Sequence, residues 1–156
     1  MNKIIWLACL LLIHSTCISQ STSSLVGKWK LFCLSDDEIY FNLKTDSFSV
    51  SDEIKLTYPE PEKQKQLVNI QIVMWQNMQY HFGNDGKYKA FLNDSFPLDE
   101  GKYREDKKGG ILECDAIGDD GIIRTEKISY RIKDQYLHLK MAWTDRPVVF
   151  ILERMK

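Results

Sequence analysis

The sequence carries no excess of one charge. Its 21 Lys and Arg residues stand against 22 Asp and Glu, for a formal net charge of −1 at pH 7. Nucleic acid or an anionic membrane surface calls for a basic face, so the balance argues against both as partners. Histidine is scarce. Outside the N-terminal segment only His81 and His138 remain, with no patterned Cys or carboxylate neighbours of the kind a metal site requires. No Gly-x-Ser-x-Gly, glycine-rich phosphate loop or His-Glu-x-x-His occurs, which removes the common signatures of hydrolase, nucleotide and metalloprotease chemistry. Asn84-Asp85 and Asp119-Asp120 lack the alternating ligands of a calcium loop and read as hairpin turns. Asp36-Asp37-Glu38 and Asp99-Glu100 read as solvated turn carboxylates. The expectation is a protein that is not an enzyme and carries no cofactor or metal. There is also no internal repeat and no low-complexity segment.

The apolar run at residues 4–13 is too short to cross a bilayer, which takes roughly 20 residues. Lys3 precedes it, and Cys17-Ile18-Ser19 places small residues at the −3 and −1 positions of a cleavage site before Gln20. Residues 1–19 therefore read as a signal peptide and residues 20–156 as one domain, large enough for a single core. His14-Ser15-Thr16 ahead of Cys17 fits a lipoprotein signal poorly. A soluble exported protein, periplasmic or extracellular, is favoured over a lipid-anchored or uncleaved form. After cleavage Cys33 and Cys114 remain, an even pair in an oxidising compartment. Both fall on the inferred inward face. A cross-barrel disulfide, which needs Cα atoms within about 7 Å, and two buried thiols are both open. Neither cysteine sits in the electropositive setting of a nucleophile.

What the chain does contain is short alternating runs broken by Gly, Asn, Asp and Pro, the pattern of antiparallel strands and hairpins. Strands are expected at residues 26–34, 39–43, 48–50, 78–82, 87–92, 101–104, 110–116, 122–132, 135–143 and 147–154, with 54–58 continuing the sheet less clearly. Residues 93–99 read as a rim loop. The stretch 60–77 breaks the pattern. Leu67, Ile70, Met74 and Met78 recur at near-helical spacing behind Pro61, while Ile70, Ile72 and Met74 also alternate. A helix is favoured over a strand because Gln and Lys before Leu67 are good helix formers.

Gly27-Lys28-Trp29 opens the first strand, Arg154 closes the last, and Asp85-Gly86-Lys87-Tyr88 turns an aromatic hairpin. On these residues the chain resembles the lipocalin and fatty-acid-binding-protein superfamily, above all the lipocalin-like domains of small exported bacterial proteins. The resemblance implies an all-β, antiparallel up-and-down barrel with one short helix. It implies that Trp29 plugs one end with the Arg154 guanidinium across its ring, beside Gly27. It also implies binding of a small apolar or amphipathic molecule.

If each strand keeps its parity, the inward face carries Tyr88, Ala90, Leu92, Tyr103, Leu112, Tyr130, Ile132, Leu139 and Met141. Tyr88, Tyr103, Tyr130, Leu139 and Met141 are the candidate ligand-binding residues. Phenols combine apolar area with a polar handle, which suits an amphipathic ligand. A barrel of about eight strands either holds one small ligand or fills itself with side chains, and both remain open. In the second case the rim loops would bind another protein or the cell envelope, with Phe96 and Trp143 as candidate contacts.

Overall fold

The computed structural model describes residues 24–93, 96–117, 121–143 and 146–156, without the side chains of Phe96 and Trp143. The expected signal peptide at 1–19 and the expected rim contacts of those two side chains lie outside the described residues. Ten strands and two helices follow in the order β1 (Gly27–Ser35), β2 (Ile39–Asn42), β3 (Ser47–Val50), α1 (Asp52–Thr57), α2 (Pro61–Trp75), β4 (Gln79–Phe82), β5 (Lys87–Asn93), β6 (Phe96–Asp106), β7 (Ile111–Ile117), β8 (Ile123–Lys133), β9 (Tyr136–Trp143) and β10 (Arg146–Arg154).

All strand pairs are antiparallel. Strands β4 to β10 pair in chain order, and β10 returns to β1, which also pairs with β4. The result is a closed eight-strand up-and-down barrel, which leaves its member strands no free edge. The two ends of β1 differ in partner. Gly27 to Lys30 face β4, while Cys33 to Ser35 face β2. The β2–β3 hairpin is thus an appendage at the end of the barrel away from Trp29.

Alternation along the strands builds the core. On β10, Val148, Phe150 and Leu152 are buried between more exposed Val149, Ile151 and Glu153. On β9, Leu137, Leu139 and Met141 are buried. Strands β6 and β8 are the exceptions: β6 has no buried residue among its described side chains, and Ile128 is the one buried residue on β8. The inner wall there meets water, which locates an opening.

Four expectations need correction. Residues 54–58 are not sheet. Ser51 caps α1 by accepting from the Ile54 N–H, and Asp52 and Glu53 sit in its first turn, where acidic side chains suit the helix dipole. The described residues therefore form two short helices where one was expected. The 60–77 stretch is helical as favoured, with Pro61 in the first turn of α2, but its core face differs. Val68 is fully buried, Ile72 and Trp75 pack on the core, and Ile70 and Met74 are exposed. Residues 67–75 are apolar nearly all round, so periodicity does not choose a face. The Trp75 ring lies 5.7 Å from that of Phe150, and this contact makes the choice. The expected rim loop at 93–99 is mostly strand, since β5 runs to Asn93 and β6 starts at Phe96. Pairing passes through Pro97 with shifted register.

The fourth correction concerns the inward placement of Cys33; of the two alternatives open for the cysteines, the structure has two buried, unbonded thiols. The register of β1 against β10 shifts between Leu31 and Cys33. That bulge reverses the parity of the upper strand. Cys33 now stands opposite Ile151 on the outer face, while Cys114 belongs to the inner core. The two thiols lie on opposite sides of the wall, so no bridge forms.

Candidate functional site

The two ends of the barrel differ. At one end Trp29 is 1% exposed, and its indole N–H donates to the Leu25 carbonyl at 2.8 Å. The Arg154 guanidinium carbon lies 4.5 Å from the ring centroid. Its Nη1 donates to the Val26 carbonyl at 2.8 Å, and its Nη2 donates to the Ser24 carbonyl. Gly27 sits under this plug at φ +143°, and a Cβ there would meet Arg154 Nη1 at 2.7 Å. Only glycine adopts that backbone freely. The three structural residues named from the sequence therefore form one cluster that seals this end.

The opposite half contains a cavity of about 360 Å³. Tyr80 of β4 and Tyr88 and Ala90 of β5 form one side. Ile128 of β8 and Met141 and Ala142 of β9 form the other. Between them stand Leu98 and Asp99 of β6, Cys114 of β7 and Glu126 of β8. Register explains why the acids point inward. Asp99 pairs with Ala90, and Glu126 pairs with Cys114; residues directly opposite in a ladder share a face. The register shift beyond Ala90 gives β6 an extra residue at Leu98, so Leu98 and Asp99 both reach the cavity.

The Tyr88 hydroxyl donates to the Asp99 carboxylate. Burial first, and then this bond and the charge of Asp99, push the Tyr88 phenol well above its ordinary range. Tyr80 is 6% exposed. Burial raises its phenol strongly, with Glu126, Cys114 and Asp99 adding to the effect. Glu126 stands at the mouth, and its carboxyl is raised by desolvation and then by Asp99. The cavity thus has apolar walls, two phenols and two carboxylates.

Of the five candidate ligand residues, Tyr88 and Met141 line this cavity. Tyr103, Tyr130 and Leu139 do not. All three face inward without reaching it. Tyr103 donates to the Gly83 carbonyl at 2.8 Å and packs edge-on against Phe82. Tyr130 donates to Glu105 at 2.5 Å, and Leu139 is completely buried. Parity along a strand tells in from out, but not how deep the packed part reaches. Tyr80, Asp99 and Glu126 went unrecognised in the sequence. A signal existed for Glu126, which shares parity with Ile128, Tyr130 and Ile132. Asp99 was read as a turn residue because β6 was expected to begin at residue 101.

The buried thiols are chemically quiet. Burial, with smaller effects from Glu126, Asp99 and Asp115, pushes Cys114 up to about 12. Burial raises Cys33, and a hydrogen bond with Tyr40 opposes the rise. The reactive thiolate is scarce at both sites. Iodoacetamide at pH 8 should label neither cysteine in the folded protein while labelling both in urea. Dithiothreitol should leave the unfolding midpoint unchanged. Fast native labelling, or a drop in the midpoint on reduction, would contradict this placement.

Among the described residues no helix is long and apolar enough to cross a membrane. No protein-family model matches the chain, and no curated protein matches it. Among solved structures the chain is similar to a DUF4847 family protein from Bacteroides vulgatus, with 11% sequence identity and a TM-score of 0.50, over 83% of this chain and 94% of that one. At that identity the likeness speaks for the barrel fold alone.

Proposed function

We propose that this protein is an exported, non-enzymatic binder of a small apolar or amphipathic molecule, held in the open half of a lipocalin-like barrel. The observation that carries the reading is the cavity of about 360 Å³ between Tyr80, Tyr88, Ile128 and Met141. That volume falls in the range of small-molecule sites, and a mostly apolar wall with a few polar groups is their usual composition. The cation over the Trp29 ring at the sealed end supports the lipocalin likeness. Lys3 and the apolar run at 4–13 support export.

Titrating an uncharged fluorescent apolar probe into delipidated protein tests the binding reading. Saturable binding at one site per chain is expected, and Ala90→Phe, which adds a ring within the cavity, should abolish it. N-terminal sequencing of protein from its own host should find a start near Gln20.

A second reading has its own support. Ile117, Ile122 and Ile123 are 69%, 58% and 65% exposed at the β7–β8 end of the open rim. Exposed apolar residues grouped at one place mark contact surfaces. If no probe binds, attachment of this rim to an envelope protein becomes the better account.

A further inference from the structure

The proposed site is acidic as well as apolar, and this bears on what it accepts. Asp99 and Glu126 both reach the cavity, and among the described residues no Lys, Arg or His lines it. Asp99 accepts from Tyr88, and neither acid has an ion-pair partner among the described residues. Drawing carboxylates out of water without a countercharge is costly. Asp99 is half-buried and Glu126 is exposed at the mouth, so the cost is partial, and partial desolvation of Glu126 raises its carboxyl.

A second, independent observation points into the same space. Tyr80 is 6% exposed, lines the cavity, and stacks beside Phe82 with ring centroids 5.9 Å apart. Among the described residues its hydroxyl has no hydrogen-bond partner. The ring is buried while the hydroxyl opens to the cavity, so its hydrogen bond goes to whatever fills that space, water or an occupant. Phenol rings also attract cations at their faces.

We infer that the occupant is a small organic cation, an ammonium head on an apolar body, with the head between Asp99 and Glu126 and the body along Ile128, Met141 and Leu98. The inference rests on the barrel-binding reading above. The cationic head supplies the missing countercharge and donates to the carboxylates. The Tyr80 oxygen accepts a further bond from the head or from a water it carries. A metal ion fits less well, since among the described residues no group of three or more His, Cys, Asp or Glu is arranged to hold one.

Three probes of equal chain length separate the possibilities by calorimetry at pH 7: decylammonium, decanol and decanoate. Decylammonium should bind at least tenfold tighter than decanoate. Glu126→Gln, at the solvent-exposed mouth, should weaken decylammonium at least tenfold and decanol by less than threefold. Tyr80→Phe should weaken decylammonium while leaving the thermal unfolding midpoint unaltered, because the lost hydroxyl has no partner in the fold. If decanol binds and decylammonium is no tighter than decanoate, the organic-cation inference fails and the binding reading stands. If decylammonium is tighter but indifferent to Glu126→Gln, the assignment to this acid pair fails. If none of the three binds, both readings fall together.

Discussion

Replacing Trp29 by alanine should lower the unfolding free energy by about 3–5 kcal/mol, the range for deleting a large buried aromatic. The ring is 1% exposed, so nearly all of its surface is lost from the core. Two further losses come with it. The Leu25 carbonyl loses its 2.8 Å donor, and Arg154 loses the face it covers. Small domains have only about 5–15 kcal/mol in all, so the variant should be marginal at 37 °C. Urea unfolding gives the number. A double-mutant cycle with Arg154→Ala should return about 0.5–1 kcal/mol of coupling, the value for a cation–π pair with an exposed cation. A loss below about 1 kcal/mol for Trp29→Ala would mean that the plug is dispensable.

The second large effect is expected at Gly101 on β6. A Cβ there would stand 1.8 Å from the backbone oxygen of Asp115 and 2.8 Å from its carbonyl carbon. These are main-chain atoms of the neighbouring strand, so no side-chain rotation relieves the clash. Gly101 pairs with Tyr88 on one side and Ala116 on the other, which places it in the wall between β5 and β7. A glycine inside a strand often marks such a close backbone approach. Gly101→Ala must push β6 and β7 apart, and the expected cost is about 3 kcal/mol, the upper part of the usual range for overpacking. The strain falls close to the Tyr88–Asp99 pair, so probe binding should weaken as well. Wild-type stability in urea for this variant would mean that β6 and β7 do not approach closely at Gly101.

The parts of the fold that rest on local chemistry were legible in the amino-acid sequence. Alternation marked nearly every strand of the barrel, because a wall with one wet and one dry face imposes a period of two. The hairpin around Asp85-Gly86, the helix after Pro61 and the pairing of Gly27, Trp29 and Arg154 could also be read. In each case the residues carry their own geometric demand. The fold class followed from these.

Three features depended on contacts made across the barrel. The bulge at the middle of β1 turned Cys33 outward, and single-strand parity contains no sign of it, because the extra residue shows only against the register of β10. The core face of α2 was chosen by Phe150 meeting Trp75, since a helix apolar nearly all round has no preferred side of its own. The position of the cavity was the third. Tyr88, Tyr103 and Tyr130 look alike in sequence. Only the stacking of side chains from eight strands decides that the last two are engaged at Gly83 and Glu105, while Tyr88 borders open space beside Asp99 and Glu126. Which way a side chain points is a local property, set by the pleat. Whether it meets another side chain or a void is set by every strand at once.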